Sequence, residues 1–491
     1  MAGARPQKKH QECAKIVYHG AMTKPLDLTL DRTAKTSLAE QIRKGVTRAI
    51  EDGVLEPGAR LPSWQDLAAQ LGVARGTVRT AYEKLAAAQL IEASRSTGTR
   101  VAQQPRAVKG EAPLDAGLFM ETYRDMTRGP AFFKMGVPAV ETFPATLFAR
   151  IRALAVRGEA SAPPAYPDPR GEFELRREIA GYLAVARGIH CSPSQLFITG
   201  GFSAGLGLAL SVLRLGGQTA WVENPGFPWS RKGLELAGLT LAPVPVDAAG
   251  IDINHGLRHH PEAKLALVTP GQQAPLGPTL SLARRLRLLD WAAANRGWVI
   301  EDDYLSELQL AGRAAPALAS LDRDGRVIHI GSFSKTISPT VRLGFLVAPP
   351  DLIPRFAEVT ACLAPAPAPS VQLATAEFMR EGHYMRHLRR TKRAYAAKRQ
   401  ALLDCLRPAL GADRVAAPGL SVLLKLPEET SDIAVAREVL PFGMIPSPLS
   451  AWYASPETAE SGLLLGVATS PAKNLARVCD QLLDAIQNKR G

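Results

Sequence analysis

Cysteine is scarce and scattered in this chain. Cys13, Cys191, Cys362, Cys405 and Cys479 form neither a CxxC pair nor any spacing of metal ligands. An odd, thin set of this kind excludes a disulfide framework and fits thiols kept reduced in a cytoplasm. Long apolar runs are lacking too. The longest, around Leu206 to Leu213, is broken by Gly207 and is far too short to span a bilayer. The first residues are basic and polar, without the apolar core of a secretory signal. A soluble, cytoplasmic protein is expected. Acidic residues are outnumbered, 46 against 59 Lys plus Arg, for a formal net charge of +13. That balance favours a polyanionic partner, although a basic enzyme would share it.

At 491 residues the chain exceeds what one core holds, so two or three domains are expected. Residues 1–30 carry Lys8, Lys9, Lys15 and Lys24 with few apolar side chains and read as a basic arm. Ser37 is placed to cap a helix on which Leu38, Ile42, Val46 and Ile50 repeat every four residues. A second helix follows Leu61-Pro62-Ser63, buries Leu67 and Leu71, and ends at Gly72; a third holds Val78, Tyr82 and Leu85. Leu90-Ile91-Glu92 and Thr99-Arg100-Val101 bracket Ser96-Thr97-Gly98 as a β-hairpin. Three helices and a hairpin over residues 31–102 make a winged helix-turn-helix. Residues 103–129, with Pro105, Gly110, Pro113 and Gly117, read as a linker.

From residue 130 to 491, short apolar strands alternate with helices. The expected strands are Leu196–Thr199, Thr219–Glu223, Lys264–Thr269, Trp298–Asp302, Arg326–Ile330 and Leu343–Val347. The pattern predicts an α/β domain with a mostly parallel central sheet covered on both faces.

Two constellations carry chemistry. On the third helix Arg75 and Arg79 stand four residues apart with Thr77 nearby, on one face near the N-terminal end; Arg100 lies in the wing. Guanidinium groups there can grip phosphate or read guanine, while a helical interaction domain would carry the same arginines as a solvated face. In the second domain Ser332-Phe333-Ser334-Lys335 follows a strand, and Arg342 comes seven residues later. A lysine in such a loop can form a Schiff base with an aldehyde cofactor if its pKa is lowered. Glu301-Asp302-Asp303-Tyr304 ends another strand, where a carboxylate can keep a pyridine nitrogen protonated. Gly200-Gly201-Phe202-Ser203 joins a strand to a helix, a place where free N–H groups and the helix dipole favour phosphate.

The stretch from Leu61-Pro62-Ser63 through Leu71-Gly72-Val73-Ala74-Arg75-Gly76-Thr77-Val78 to Tyr82-Glu83-Lys84-Leu85 resembles the GntR family of bacterial regulators. That resemblance implies a double-stranded DNA operator as partner, with Ser63, Arg75, Thr77, Arg79 and Arg100 as DNA contacts. Residues 130–491 resemble fold type I pyridoxal 5'-phosphate (PLP) enzymes of the aminotransferase class. By that likeness Lys335 would carry the Schiff base to PLP, Asp302 would pair with the pyridine nitrogen, and Tyr304 would bond the phenolic oxygen. Gly201, Phe202, Ser203, Ser332, Ser334 and Arg342 would hold the phosphate, and Phe227 would stack on the ring. Tyr166 would reach the phosphate of a neighbouring subunit, which implies a homodimer. The whole arrangement is similar to the MocR (GabR/PdxR-like) subfamily of GntR-family transcription regulators, and implies a domain-swapped dimer that senses an amine, an amino acid or PLP.

Departures from the resembled patterns bear on the ligands. Trp64-Gln65 stands where an arginine is usual after Pro-Ser. Leu463-Leu464-Leu465-Gly466-Val467 lacks the arginine with which aminotransferases hold a substrate carboxylate, and Gln272-Gln273-Ala274-Pro275-Leu276-Gly277 lacks their asparagine. Trp229 replaces an effector-binding arginine of some relatives, leaving Arg170 and Arg231 as candidate anion contacts. A regulator that uses its PLP domain as a sensor is the expected function. A working aminotransferase with an accessory DNA-binding domain, or a scaffold that only dimerises, remain as alternatives.

Overall fold

A computed structural model describes residues 28–34, 36–94, 98–102, 120, 123, 129, 131–305, 308–310 and 314–488. Nearly all of the basic arm and of the linker, and Ser96-Thr97 of the hairpin turn, lie outside these residues. The chain divides into two compact units, Met1–Thr122 and Tyr123–Gly491.

In the first unit, α1 (Leu38–Glu51) starts where the Ser37 hydroxyl accepts the Glu40 N–H, satisfying one of the donors that every helix start leaves free. Its buried seam is Ile42, Val46 and Ala49, while Leu38 and Ile50 lie at its half-exposed margins. α2 (Trp64–Leu71) is capped by Ser63 and closed by Gly72 at φ 61°, a left-handed position that costs glycine nothing. Only Gly72, Val73 and Ala74 separate it from α3 (Arg75–Ala87). Val78, Ala81, Tyr82 and Leu85 turn inward against α1 and α2. The antiparallel ribbon of β1 (Ile91–Ser94) and β2 (Gly98–Val101) pairs Ile91 with Val101 and closes the core with both side chains.

The second unit opens with α4 (Ala145–Ser161) and α5 (Phe173–Ala186). Its main sheet is built from β3 (Leu196–Thr199), β4 (Thr219–Asn224), β5 (Thr240–Asp247), β6 (Gly250–Ile251), β7 (Leu265–Val268), β8 (Trp298–Asp303), β9 (Val327–Ser332) and β10 (Gly344–Val347). The strand order is β3-β10-β9-β8-β7-β4-β5-β6. β5, β4, β7, β8 and β9 run parallel. β10 runs against both β9 and β3, so β3 points the same way as the parallel set. The carboxyl ends of β3, β4, β8 and β9 therefore meet at one rim, where open α/β sheets bind ligands.

Helices cover both faces of the sheet. α6 (Phe202–Leu213), α7 (Pro228–Leu236), α8 (Ile253–His259) and α9 (Leu282–Ala294) follow β3, β4, β6 and β7 in the sequence. Ile300, Ile328 and Ile330 pack toward α6 in one cluster, and Val299 and Val327 join Trp221 and Trp291 in another. α10 (Ile353–Leu363), α11 (Pro369–Arg380) and the 28-residue α12 (His383–Leu410) lead to a smaller antiparallel sheet. That sheet orders β11 (Val415–Ala416), β12 (Ser421–Lys425), β14 (Gly462–Gly466) and β13 (Ser447–Pro448), with α13 (Asp432–Glu438) and a final α14 (Leu475–Asn488) beside it.

Two backbone approaches fix the rim. A side chain at Gly344 would stand 2.9 Å from the Cα of Gly201, so the turn after β3 lies directly on β10. Gly331, just before Ser332, faces the Phe345 ring, which a Cβ would meet at 2.2 Å. Phe345 is buried and cannot swing away. Gly331→Ala is therefore expected to destabilise the protein by about 1–3 kcal/mol through overpacking, read as a lower thermal midpoint. Phe345→Leu in the same chain should recover part of that loss.

Candidate cofactor site and nucleic-acid interface

Alternation along β8 sorts three consecutive carboxylates. Asp302 faces the rim cavity, whereas Glu301 and Asp303 point to the other face of the sheet. There Glu301 meets His329 Nδ1 at 3.0 Å and accepts the N–H groups of Leu318 and Ala319. Asp303 accepts from Arg187 Nε at 2.7 Å, and both partners are buried. Burial disfavours the charge on His329, but the carboxylates of Glu301 and Asp303 outweigh it and raise its pKa.

Asp302 has no such ring of donors. Burial pushes its carboxyl up to about 8; the Lys335 ammonium pulls the other way, while Asp303 and Glu223 add to the rise. Burial likewise lowers the pKa of Lys335, with Asp302 opposing. Burial thus moves the two groups toward each other in pKa, a perturbed acid and amine at one rim. Gly136 lies beside the lysine, since a Cβ there would be 3.5 Å from Nζ. Tyr304 is hydrogen-bonded to Gln272, and burial holds its hydroxyl protonated. Gln272 Oε1 is buried without a partner.

Next to Asp302 is a narrow enclosure bounded by Glu223, Phe227, Ser230, Arg231 and Thr269. Glu223 was not singled out in the sequence. Its only signal there is a glutamate closing an apolar strand. Buried at the end of β4, it accepts from Thr269 N at 3.0 Å and from the Thr269 hydroxyl, and burial pushes its carboxyl up to about 7 against these bonds. Phe227 lies 5.7 Å from the Trp452 ring, near the smaller sheet.

Ser332 and Ser334 bond each other at 3.0 Å, and Gly201 comes within van der Waals reach of Ser334 Oγ. α6 starts at Phe202 behind Gly201, whose φ of 102° suits glycine, and Ser203 is exposed in its first turn. The two serines and the helix start therefore converge. Arg342 sits in the left-handed region at φ 48°; its side chain is exposed and bonds neither serine. Tyr166 is fully exposed.

Both candidate anion contacts are committed elsewhere. Arg170 grips Asp168 with Nε and Nη2, at 3.0 and 2.8 Å. Arg231 donates to the carbonyls of Gly226, Trp452 and Tyr453 at 2.6, 2.6 and 3.0 Å, tying the β4 turn to the smaller lobe. Leu464 is buried with Leu423, Leu449 and Trp452, an apolar cluster in the stretch where an arginine was sought. Trp229 contacts Tyr123 edge to face at 5.7 Å.

In the first unit Arg75 and Arg79 are exposed at the start of α3 and Thr77 is half-buried. Arg79 is paired with Glu83 at 2.9 Å, so only Arg75 presents an uncommitted guanidinium. Ser63 is engaged as the α2 cap, accepting from Asp66 N and donating to its carboxylate. Trp64 packs against the core of the unit. Arg100 donates to Gly58 O at 2.9 Å and pairs across the wing with Arg60. Arg60, missed in the sequence because it lies in a turn-rich stretch, doubles the positive charge there.

The raised pKa of Asp302 carries a pH prediction. A carboxyl with a higher pKa folded than unfolded favours the native state most at low pH, and that contribution is lost as pH climbs from about 4 toward about 8. In the cofactor-free protein Asp302→Asn should melt with wild type near pH 4 and above it at pH 8. A gap independent of pH would contradict the proton assignment.

Comparison with known proteins agrees with both units. Residues 38–101 match the family model of bacterial regulatory proteins of the gntR family, and residues 134–482 match that of aminotransferase class I and II. The probable rhizopine catabolism regulatory protein MocR of Rhizobium meliloti is 33% identical, over 93% of this chain and 95% of that protein. The pyridoxine biosynthesis transcriptional regulator PdxR of Corynebacterium glutamicum is 31% identical, over 95% and 99%. Among solved structures, the α-aminoadipate aminotransferase LysN of Thermus thermophilus superposes with a TM-score of 0.67 at 26% identity, covering 75% of this chain and 95% of its own. With a gntR-family helix-turn-helix ahead of an aminotransferase class I and II domain, the chain belongs to the MocR-type GntR transcription regulators.

Proposed function

We propose that the protein binds a double-stranded operator through its winged helix and uses PLP in its second unit to sense a small amine, an amino acid or PLP itself. The observation that carries this reading is a half-buried lysine and a buried carboxyl of raised pKa that feel each other's charge at the sheet rim, in a chain that also carries a gntR-family unit. The residues fit the cofactor. Gln272 Oε1 is a buried polar atom without a partner, on the residue that bonds Tyr304, and two hydroxyls and a helix start converge where a phosphate would sit. Lys335 would hold the aldehyde carbon, Asp302 the pyridine nitrogen, Tyr304 the phenolic oxygen and Phe227 the ring face. Ser332, Ser334 and the Gly201–Ser203 turn would hold the phosphate, with Arg342 swinging in. PLP supplies an aldehyde that a primary amine can condense with. The Lys335 amine would hold or take up a proton beside it.

The exposed Tyr166 suits a contact completed by a second subunit, which supports a homodimer working in the cytoplasm. Domain boundaries of 31–102 and 130–491, joined by a linker, accord with this division of labour. The buried Leu464 cluster and the committed Arg170 and Arg231 weigh against efficient transamination of ordinary amino acids.

Lys335→Ala should abolish the visible absorption band of bound PLP while leaving the chain folded; a retained band would reject the lysine. Arg75→Ala with Arg79→Ala should weaken operator binding by tenfold or more and flatten its salt dependence. Unchanged affinity at matched salt would show that α3 does not enter the groove. Sustained release of keto acid from an amino acid would favour the aminotransferase reading instead.

A further inference from the structure

On the face of β8 away from Asp302 there is an open cleft of about 190 Å³. One wall is α12. Met385, Leu388, Arg389 and Lys392 stand at spacings of three and four, so all lie on one stripe of the helix. The opposite wall is the end of α5, with Tyr182 and the buried Arg187. Apolar surface from Tyr182 and Leu388 lines the depth, and the two α12 cations stand at the rim.

The charges here are not balanced. The Arg187 guanidinium is met by Asp303 at 2.7 Å and by the carbonyl of Ala315. Asp303 belongs in turn to the buried set of His329 and Glu301. Arg389 and Lys392, by contrast, make no ion pair or hydrogen bond with any described residue. Two cations without a partner among the described residues, over an apolar floor, are the complement of an amphipathic anion.

We propose that this cleft binds a small organic acid: an apolar ring or branched chain carrying one carboxylate, with the carboxylate between Arg389 and Lys392 and the body against Tyr182 and Leu388. The site is separate from the cofactor cavity and does not depend on PLP being bound. Its floor leads through Arg187 to Asp303, the neighbour of Asp302 along β8.

The test uses the full-length protein and three probes by calorimetry at low salt. Phenylacetate has both the body and the charge, phenylacetamide only the body, and inorganic phosphate only the charge. Phenylacetate should bind one site per chain, and each of the other two at least tenfold more weakly. Arg389→Ala with Lys392→Ala should weaken phenylacetate by tenfold or more, with an unchanged melting temperature, because both side chains are solvent-accessible. Lys335→Ala should leave phenylacetate binding intact, which separates this cleft from the cofactor site. The proposal is overturned if phenylacetate shows no saturable binding, if phosphate matches it, if the double variant binds as well as wild type, or if binding is lost in Lys335→Ala.

Discussion

A single buried carboxyl, Asp302, sets the terms for the second unit. It sits at the end of β8 with burial raising its pKa to about 8 and Lys335, then His329, drawing it back. A buried charge without paired donors is costly, and the surroundings show how that cost is contained. The neighbouring carboxylates on the same strand point the other way and are neutralised by His329 and Arg187. The turn after β3 and the loop after β9 are packed together by the approach of Gly201 to Gly344. The result is a rim where Asp302, the Lys335 amine and a place for phosphate come together, with Glu223 a second buried acid beside them. That is the balance a pyridine cofactor would shift, because a cationic ring nitrogen gives Asp302 the partner it lacks.

Much of this was legible in the sequence because it rests on local rules. The six expected strands lie within one or two residues of β3, β4, β7, β8, β9 and β10, since each is a short apolar run closed by polar or turn residues. The winged helix was legible from capping residues and four-residue spacing, and Ser37, Gly72 and the β1–β2 register follow. Lys335, Asp302 and the Gly200–Ser203 turn were visible as motifs at strand ends, and their convergence comes from the parallel sheet.

What stayed hidden depends on pairing across long separations. The reversed direction of β10 leaves no mark on its own residues, because a strand buried on both faces reads the same either way. β5, with two prolines in eight residues, lacks the usual strand pattern. The engagement of Arg170 by Asp168, of Arg231 by three carbonyls and of Arg79 by Glu83 is a matter of geometry. A sequence shows an arginine but not whether its guanidinium is already spoken for. Glu223 and Arg60 were overlooked for the complementary reason: neither sits in a motif, and both matter only through their neighbours.

Sensing and DNA binding on one chain require an equilibrium that both ligands bias. Linkage makes this testable without knowing the two arrangements. With PLP bound, an amine that changes the visible spectrum should alter operator affinity by some factor, and operator DNA should alter the affinity for that amine by the same factor. The decisive measurement is therefore a paired titration: the spectral response to amines with and without operator, and operator binding with and without the responding amine. Equal, non-unit factors from both directions are the predicted result. An amine that saturates the cofactor site while leaving operator affinity unchanged would contradict the account.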